Sequence, residues 1–267
     1  MTQDKKTNEI LYFYGALVLL AGFVSVGGLL YRNGYRFQGF QLAKAGSLEV
    51  AVYEAGSKIF IDNKLQKITS APEEVIQFNN ILPGTHTIAI TKDGFSPWEK
   101  EVEVTQFNTE KIASFLSPIS IALTKITDPS EKAQIALLFP TKTNATTTPE
   151  RTEGNTTLWA DTTSVYLEWK DSADPLPEYF CTSEGECSNG PIAIFHSGTK
   201  IINADFYKNR EDVFIVAHGN SINTIEIDGS QGTRSYDLYT GTAPTFYKVS
   251  EDMLYIKDGK DIFRMEL

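Results

Sequence analysis

The sequence predicts an all-β body carried on one N-terminal transmembrane helix, the second half of that body being a partial, propeller-like antiparallel repeat domain. Three observations carry that prediction. Residues 10–31 hold no charged side chain, the chain beyond them alternates apolar and polar residues between Gly-, Asn- and Asp-bearing turns, and two 16-residue segments near the C terminus align at an offset of 40 residues. At 267 residues the chain exceeds the roughly 100–200 of an average domain, so one large or two small domains accompany the helix. With 41% apolar and 22% charged residues the composition is that of a globular protein, which confines disorder to local segments. Lys and Arg number 24 against 34 Asp and Glu. Without a clustered basic face, that balance excludes nucleic acid as a partner.

The 22 uncharged residues of 10–31, ILYFYGALVLLAGFVSVGGLLY, reach about 33 Å at about 1.5 Å per residue, enough to cross a hydrocarbon core of about 30 Å once. Tyr12, Tyr14 and Tyr31 fall where amphipathic rings prefer the headgroup layer, and Arg32 and Arg36 close the far side. A buried core helix of this length would carry some polar face. A cleaved signal peptide would have an apolar run of roughly 7–15 residues and a small-x-small site, which Leu30, Tyr31, Arg32 and Asn33 do not provide. The segment therefore reads as an uncleaved signal anchor in the cell membrane, with residues 1–9 a short cytoplasmic tail and the bulk of the chain extracytoplasmic. Charge alone leaves the orientation open, because Lys5 and Lys6 are balanced by Arg32, Arg36 and Lys44. Ala21 and Ser25, or Gly15, Gly22, Gly27 and Gly28, would permit close approach of a second helix and so a homo-oligomer.

Strand patterns begin in the region 46–116. Leu48, Val50 and Val52 share one face, while Ile59, Phe60 and Ile61 run into the turn-forming Asp62, Asn63 and Lys64, a hairpin pattern. Leu82, Pro83 and Gly84 make a turn before 87–90, and Lys92, Asp93 and Gly94 make another before Trp98 and the alternating 101–104. About four or five short strands fit the roughly 60 residues from Gly46. Ser70 and Glu73 have the spacing of a capping box, but Asn79 and Asn80 would stop that helix after about two turns, so 75–78 reads as extended. Gly56, Gly84 and Gly94 suit positive φ or a close chain approach, and Asp62 suits an Asx-turn.

Together these landmarks resemble a PEGA domain, a small β-sandwich module of bacterial surface and membrane proteins. In that family a Pro-Glu-Gly-Ala turn leads into a Val-Tyr-Ile-Asp-Gly strand and turn. Here 54–63 reads EAGSKIFIDN, which keeps Gly56 and Asp62 but not the Pro, Glu and Ala positions. Leu82, Pro83, Gly84, Thr85 and His86 are similar to the family's Leu-x-Pro-Gly-x-His/Tyr turn, and Lys92, Asp93, Gly94 and Phe95 to its Lys-x-Gly-Tyr turn, with Trp98 just beyond. The resemblance covers under a quarter of the chain. It implies a β-sandwich over 46–116, an envelope location and a general binding role, with Gly56, Asp62, Pro83, Gly84 and Gly94 as structural turn residues. Phe95 and Trp98 could form an exposed aromatic platform for sugar or peptide, against the ordinary reading of core packing. His86 reads as a surface or cross-strand residue.

Residues 117–156 read as a linker with one short element. Pro118, Pro129, Pro140 and Pro149 punctuate it, and 141–148 is Thr-rich. Asp128, Pro129 and Glu131 would start a helix toward Leu137, while 135–139 fits a short buried strand equally well. Asn144 and Asn155 stand in Asn-x-Thr patterns, which carry little weight in a bacterial protein.

The repeat lies in 157–267. Residues 212–227, DVFIVAHGNSINTIEI, align without gaps on 252–267, DMLYIKDGKDIFRMEL. Asp212/Asp252, Gly219/Gly259, Ile222/Ile262 and Glu226/Glu266 are identical, and each segment reads strand, Gly-bearing turn, strand. A 40-residue period of paired strands is the pattern of propeller blades, and 158–169, LWADTTSVYLEW, reads as an earlier hairpin displaced by an insertion holding both cysteines. The region resembles the β-propeller-like repeats fused to PEGA modules in membrane-anchored bacterial proteins. Its roughly 110 residues make two or three blades, fewer than the four or more that close a ring, so an open array is expected. Its edges would be covered by the linker, the PEGA-like module or another chain.

Chemistry is sparse. Cys181 and Cys187 bracket a polar loop of five residues. A disulfide fits, contributing about 2 kcal/mol at most across so short a loop, and it requires an oxidising compartment. Free thiols and half a zinc site are the alternatives, the second against the usual zinc spacing. His196 and His218 stand in strand-like contexts without a Gly-x-Ser-x-Gly motif. Asp171, Asp174, Glu178, Glu184 and Glu186 form an acidic neighbourhood without calcium-loop spacing, and no Gly-rich phosphate loop joins a strand to a helix. No catalytic residue, metal or cofactor is predicted. The expected protein is a non-enzymatic, single-pass envelope module that binds or scaffolds envelope proteins or wall glycans. One alternative is an extracytoplasmic sensor or regulatory subunit signalling through a partner helix, because a nine-residue tail is too short for a signalling domain. The other is an envelope hydrolase acting through His196 and His218.

Overall fold

The computed structural model describes residues 3–39, 41–139, 148–170, 176–181, 186–208, 210–228 and 232–267. The chain is mostly β after one N-terminal helix and divides into two units, Met1–Asp93 with Pro97–Leu116 and Gly94–Ser96 with Ser117–Leu267.

The first unit opens with α1 (Gln3–Arg32), which reaches back through most of the segment expected as a tail. Its stretch Phe13–Arg32 is long and apolar enough to cross a membrane, and none of it is buried. The helix ends as Gly34 takes a φ of 82° and donates its N–H to the Tyr31 carbonyl at 3.1 Å. A hairpin follows that the sequence pattern did not announce, β1 (Tyr35–Gln38) with β2 (Gln41–Lys44), in which Phe37 lies opposite Leu42.

Seven more strands build the body of this unit: β3 (Gly46–Val52), β4 (Lys58–Ile61), β5 (Lys64–Ile68), β6 (Glu74–Ile81), β7 (Gly84–Thr91), β8 (Trp98–Val104) and β9 (Thr109–Ala113). They form a three-stranded sheet, β6-β3-β9, and a four-stranded antiparallel sheet, β5-β4-β7-β8. Central β3 is antiparallel to β6 and parallel to β9. Leu48, Val50 and Val52 alternate inward and are fully buried, as are Ile59, Ile88 and Ile90 from the other sheet. Residues 75–78 are extended within β6, as their flanking asparagines suggested. Six strands rather than four or five lie between 46 and 105, because β5 is an edge strand with no buried side chain for periodicity to mark.

Two turns differ in detail from the sequence reading. Asp62 and Asn63 take φ of 50° and 62°, the geometry of a two-residue hairpin turn. The Asp62 carboxylate does not close an Asx-turn: it accepts the Thr87 N–H at 3.1 Å and lies 2.7 Å from His86 Nδ1 on the neighbouring strand. His86 also reaches the Leu82 carbonyl through Nε2 at 2.7 Å, so it clasps two strands. Leu82 and Pro83 do not turn a hairpin but carry the chain from one sheet to the other, since β6 pairs with β3 and β7 with β4.

Lys67 on β5 and the Ser70 N–H both bond the Glu74 carboxylate, and these bonds, the lysine's foremost, hold it down at about 2. A carboxyl depressed on folding stabilises above its ordinary pKa and loses that contribution as pH falls toward the depressed value. The Glu74 contribution should therefore be complete above about pH 4.5 and fade toward pH 2. Lys67→Gln is expected to raise the Glu74 titration midpoint toward the ordinary range, read from side-chain carboxyl chemical shifts.

In the second unit come β10 (Leu123–Lys125), α2 (Pro129–Ala136), β11 (Arg151–Glu153), β12 (Thr156–Ala160), β13 (Ser164–Trp169) and β14 (Ile192–His196), then β15 (Ile201–Phe206), β16 (Val213–His218), β17 (Ser221–Asp228), β18 (Gly232–Thr240), β19 (Pro244–Ser250), β20 (Met253–Asp258) and β21 (Asp261–Glu266). The strands make three four-stranded antiparallel sheets, β11-β12-β13-β14, β15-β16-β17-β18 and β10-β21-β20-β19. No closed barrel or propeller forms among the described residues. The aligned segments are the matching hairpins β16–β17 and β20–β21, with Val213 opposite Glu226 as Met253 is opposite Glu266. Each turns over a glycine at positive φ, 54° at Gly219 and 60° at Gly259. The earlier hairpin is β12–β13, which pairs throughout. Leu158, Val165 and Leu167 of the first sheet share one apolar core with Phe206, Phe214 and Val216 of the second.

The described part of 117–156 is more than a connector. β10 hydrogen-bonds along β21 and completes the third sheet, so part of the expected linker covers a strand edge. Asp128 caps α2 by accepting the Glu131 N–H at 2.7 Å. Helix therefore wins over strand at Ile135, which packs with Phe139 on Ile126 and Ile262. The Thr-rich residues 141–147, with Asn144, lie outside the described residues.

Candidate functional site

One end of the second unit gathers Asp161, His218 and Asp258 at three hairpin turns. The β12–β13, β16–β17 and β20–β21 turns lie there, as do the connections between sheets at 197–200 and 241–243. Backbone bonds lace these loops together. Ser197 donates to the Thr163 carbonyl at 2.7 Å, Gly219 to Lys200 at 3.2 Å, and Gly241 to Asn220 at 2.8 Å.

Each hairpin places a polar residue just where its first strand ends. Asp161 accepts the Thr163 and Ser164 N–H groups at 2.8 and 2.7 Å and the Tyr166 hydroxyl at 3.0 Å. The two backbone donors hold its carboxyl below the ordinary aspartate range. Asp258 accepts from the Thr242 and Ala243 backbones and from the Tyr239 hydroxyl. Burial pushes that carboxyl up, but the three donors outweigh it and the net shift is downward. In the middle hairpin the position is His218.

His218 Nδ1 lies 3.0 Å from Ser197 Oγ and 3.3 Å from Thr199 Oγ1, and its Nε2 lies 3.1 Å from Asn223 Oδ1. Asn223 in turn donates to Asp237 at 2.7 Å. That donation fixes the amide, so Asn223 Oδ1 accepts from Nε2–H and leaves Nδ1 free to accept a hydroxyl proton. Hydroxyl, imidazole and orienting amide are the parts of an activated nucleophile. The same groups also close a turn. Ser197 is only 3% exposed, and its Oγ accepts the Thr199 N–H at 3.1 Å. Ser197→Ala is expected to cost about 0.5–1.5 kcal/mol by removing these hydrogen bonds, measurable as a shift in the denaturation midpoint. His196, exposed at the end of β14, meets Ser164 Oγ at 3.0 Å in a separate contact.

Aromatic surface stands nearby, at residues the sequence reading did not choose. Trp159 and Tyr166 are cross-strand partners whose rings stack at 5.8 Å and 19°. Both are half-buried, on the face of their sheet opposite Leu158 and Val165. The Tyr166 hydroxyl is held by Asp161, so ring and carboxylate form one rigid ledge. The alternation in LWADTTSVYLEW, read for its outward face, marks this pair.

The residues expected from the sequence lie elsewhere in the chain. Trp98 is 1% exposed, a correction to its reading as a ligand-contact aromatic: as the inward first residue of β8 it fills the core. Phe95 is half-buried and bridges to Pro118. Gly56 and Gly94 take φ of 78° and 85°, as turn residues should. Cys181 and Cys187 are joined in a disulfide. Of the acidic neighbourhood, Asp171, Asp174 and Glu184 lie outside the described residues, and among the described residues no three His, Cys, Asp or Glu side chains gather as a metal site. No protein-family model matches the chain, and no curated protein matches it.

Proposed function

We propose that the chain is a single-pass, membrane-anchored module of the cell envelope whose β body binds or scaffolds envelope proteins or wall glycans without turnover. The observation that carries this reading is the unburied 20-residue apolar segment Phe13–Arg32 leading into an otherwise β chain. An apolar helical segment left unburied by its own chain has the bilayer as its natural solvent. The Cys181–Cys187 disulfide supports an extracytoplasmic body. Seven strands in two sheets, with Asp62, Pro83, Gly84 and Gly94 at turns or corners, support a PEGA-like module over 46–116. Three four-stranded antiparallel sheets, the last completed by a strand from the start of the unit, support an open propeller-like array. The stacked Trp159 and Tyr166 beside the Asp161 acceptor favour a sugar-like ligand, since such ledges offer an apolar face and a fixed hydrogen-bond acceptor together.

The test is co-sedimentation of the full chain with purified cell wall, alongside protease treatment of intact and lysed cells. Binding is expected to weaken several-fold with Trp159→Ala, and the body should be cut in cells whose membrane is intact. Binding indifferent to both Trp159→Ala and Tyr166→Ala would remove the glycan face, and a body protected until lysis would remove the envelope location. The Ser197–His218 contact favours one second reading, a hydrolase. Hydrolytic activity lost in folded Ser197→Ala and His218→Ala variants would put that reading first.

A further inference from the structure

We propose that the β1–β2 hairpin and the loop bearing Phe107 seat the first unit on the lipid headgroup layer, with their apolar side chains at the acyl boundary and neighbouring cations at the phosphates. The proposal rests on the reading of α1 as a membrane anchor.

The hairpin has two unlike faces. Arg36 pairs with Ala43, which is 7% exposed, so that face turns inward. On the other face stand the pairs Tyr35 with Lys44 and Phe37 with Leu42. Phe37 is 76% exposed and Leu42 42%, an apolar surface without protein cover. Phe107, between β8 and β9, is 72% exposed at a φ of 65°. A large aromatic left in solvent beside other exposed apolar side chains is unfavourable unless something outside the chain takes it up. Lys44 Nζ lies 5.2 Å from the Tyr35 ring and 5.1 Å from the Phe107 ring, which joins loop and hairpin into one patch.

Continuity with the helix names the occupant. The apolar segment ends at Arg32, about 30 Å from its start at about 1.5 Å per residue, which uses up the hydrocarbon thickness. The hairpin begins three residues later at Tyr35. Arg36 is fixed to the helix end, its guanidinium 3.8 Å from the Tyr31 ring centre and donating to the Tyr31 carbonyl at 2.8 Å. The patch therefore lies at the level where α1 leaves the bilayer. Charge agrees: residues 10–48 contain Arg32, Arg36 and Lys44 and no Asp or Glu, in a chain whose net charge is -10. Aromatic rings beside cations are the composition that headgroup layers attract.

The test places single tryptophans in the full chain, reconstituted in phosphatidylcholine vesicles with or without acyl-brominated lipid, with the unsubstituted chain as background. Phe37→Trp and Phe107→Trp are expected to gain blue-shifted emission quenched most by bromines near the carbonyl end. Leu20→Trp should be quenched most by bromines deep in the chain. Quenching at 20 with none at 37 and 107 would overturn the seat while leaving the anchor standing. No quenching at 20 would remove the anchor itself. Blue-shifted emission at 37 without lipid quenching would mean that protein covers the patch, a second copy of the chain, and would also overturn the seat.

Discussion

Trp98→Ala is expected to remove about 3–5 kcal/mol from the stability of the first unit, the range for deleting a fully buried large aromatic. Trp98 is 1% exposed and pairs with Ile90, itself fully buried. Among the described residues no fully buried side chain is larger. Against a net domain stability of about 5–15 kcal/mol the loss leaves the unit marginal. Urea titration of the detergent-solubilised chain should show an early transition in Trp98→Ala, with the later transition of the second unit unmoved. Trp98→Phe should recover much of the loss, since it returns most of the apolar volume. An unchanged transition in the alanine variant would mean that the ring is dispensable to the core, and the discarded role in ligand contact would return.

That residue also marks where sequence patterns stop being informative. Leu48, Val50 and Val52 could be placed because a strand with one wet face writes its burial into every second residue. Trp98 beside a turn has no such neighbour pattern, and the choice between core and surface depends on which way β8 begins. The Trp159–Tyr166 ledge was hidden for the opposite reason. Its residues alternate correctly, but the inward Leu158 and Val165 draw attention to the other face. β10 is three residues, none of them buried, and pairs with β21 across most of the unit; no local pattern encodes such a partner. The chain from Ser197 through His218 and Asn223 to Asp237 likewise joins residues from four strands or loops that only the sheet register brings together. Short-range signals, namely the apolar helix, the glycine turns and the 40-residue echo, were legible because each is local or self-similar.

The largest effect is expected from Leu19→Arg combined with Phe23→Arg, which should abolish membrane insertion. The two lie one turn apart on one side of the helix, 67% and 78% exposed. Each arginine near the centre of a span costs about 2.5–3.5 kcal/mol on an insertion scale, so the pair costs about 5–7. The favourable side is smaller. Residues 13–32 contain ten Leu, Val or Phe, and the eight that remain contribute about 0.3–0.6 kcal/mol each, or about 2.4–4.8 in total. The sum turns unfavourable, and two arginines on one central face cannot both reach an interface by snorkelling. Alkaline extraction of membranes should therefore release the double variant while Leu19→Ile with Phe23→Leu stays bound. The disulfide supplies an independent readout. A body that never leaves the cytoplasm meets a reducing pool, so Cys181 and Cys187 should be recovered as thiols in the arginine variant and as a disulfide in the conservative one. Arginine-bearing protein that remains embedded and oxidised would break the link between this helix and the side of the membrane on which the β body works.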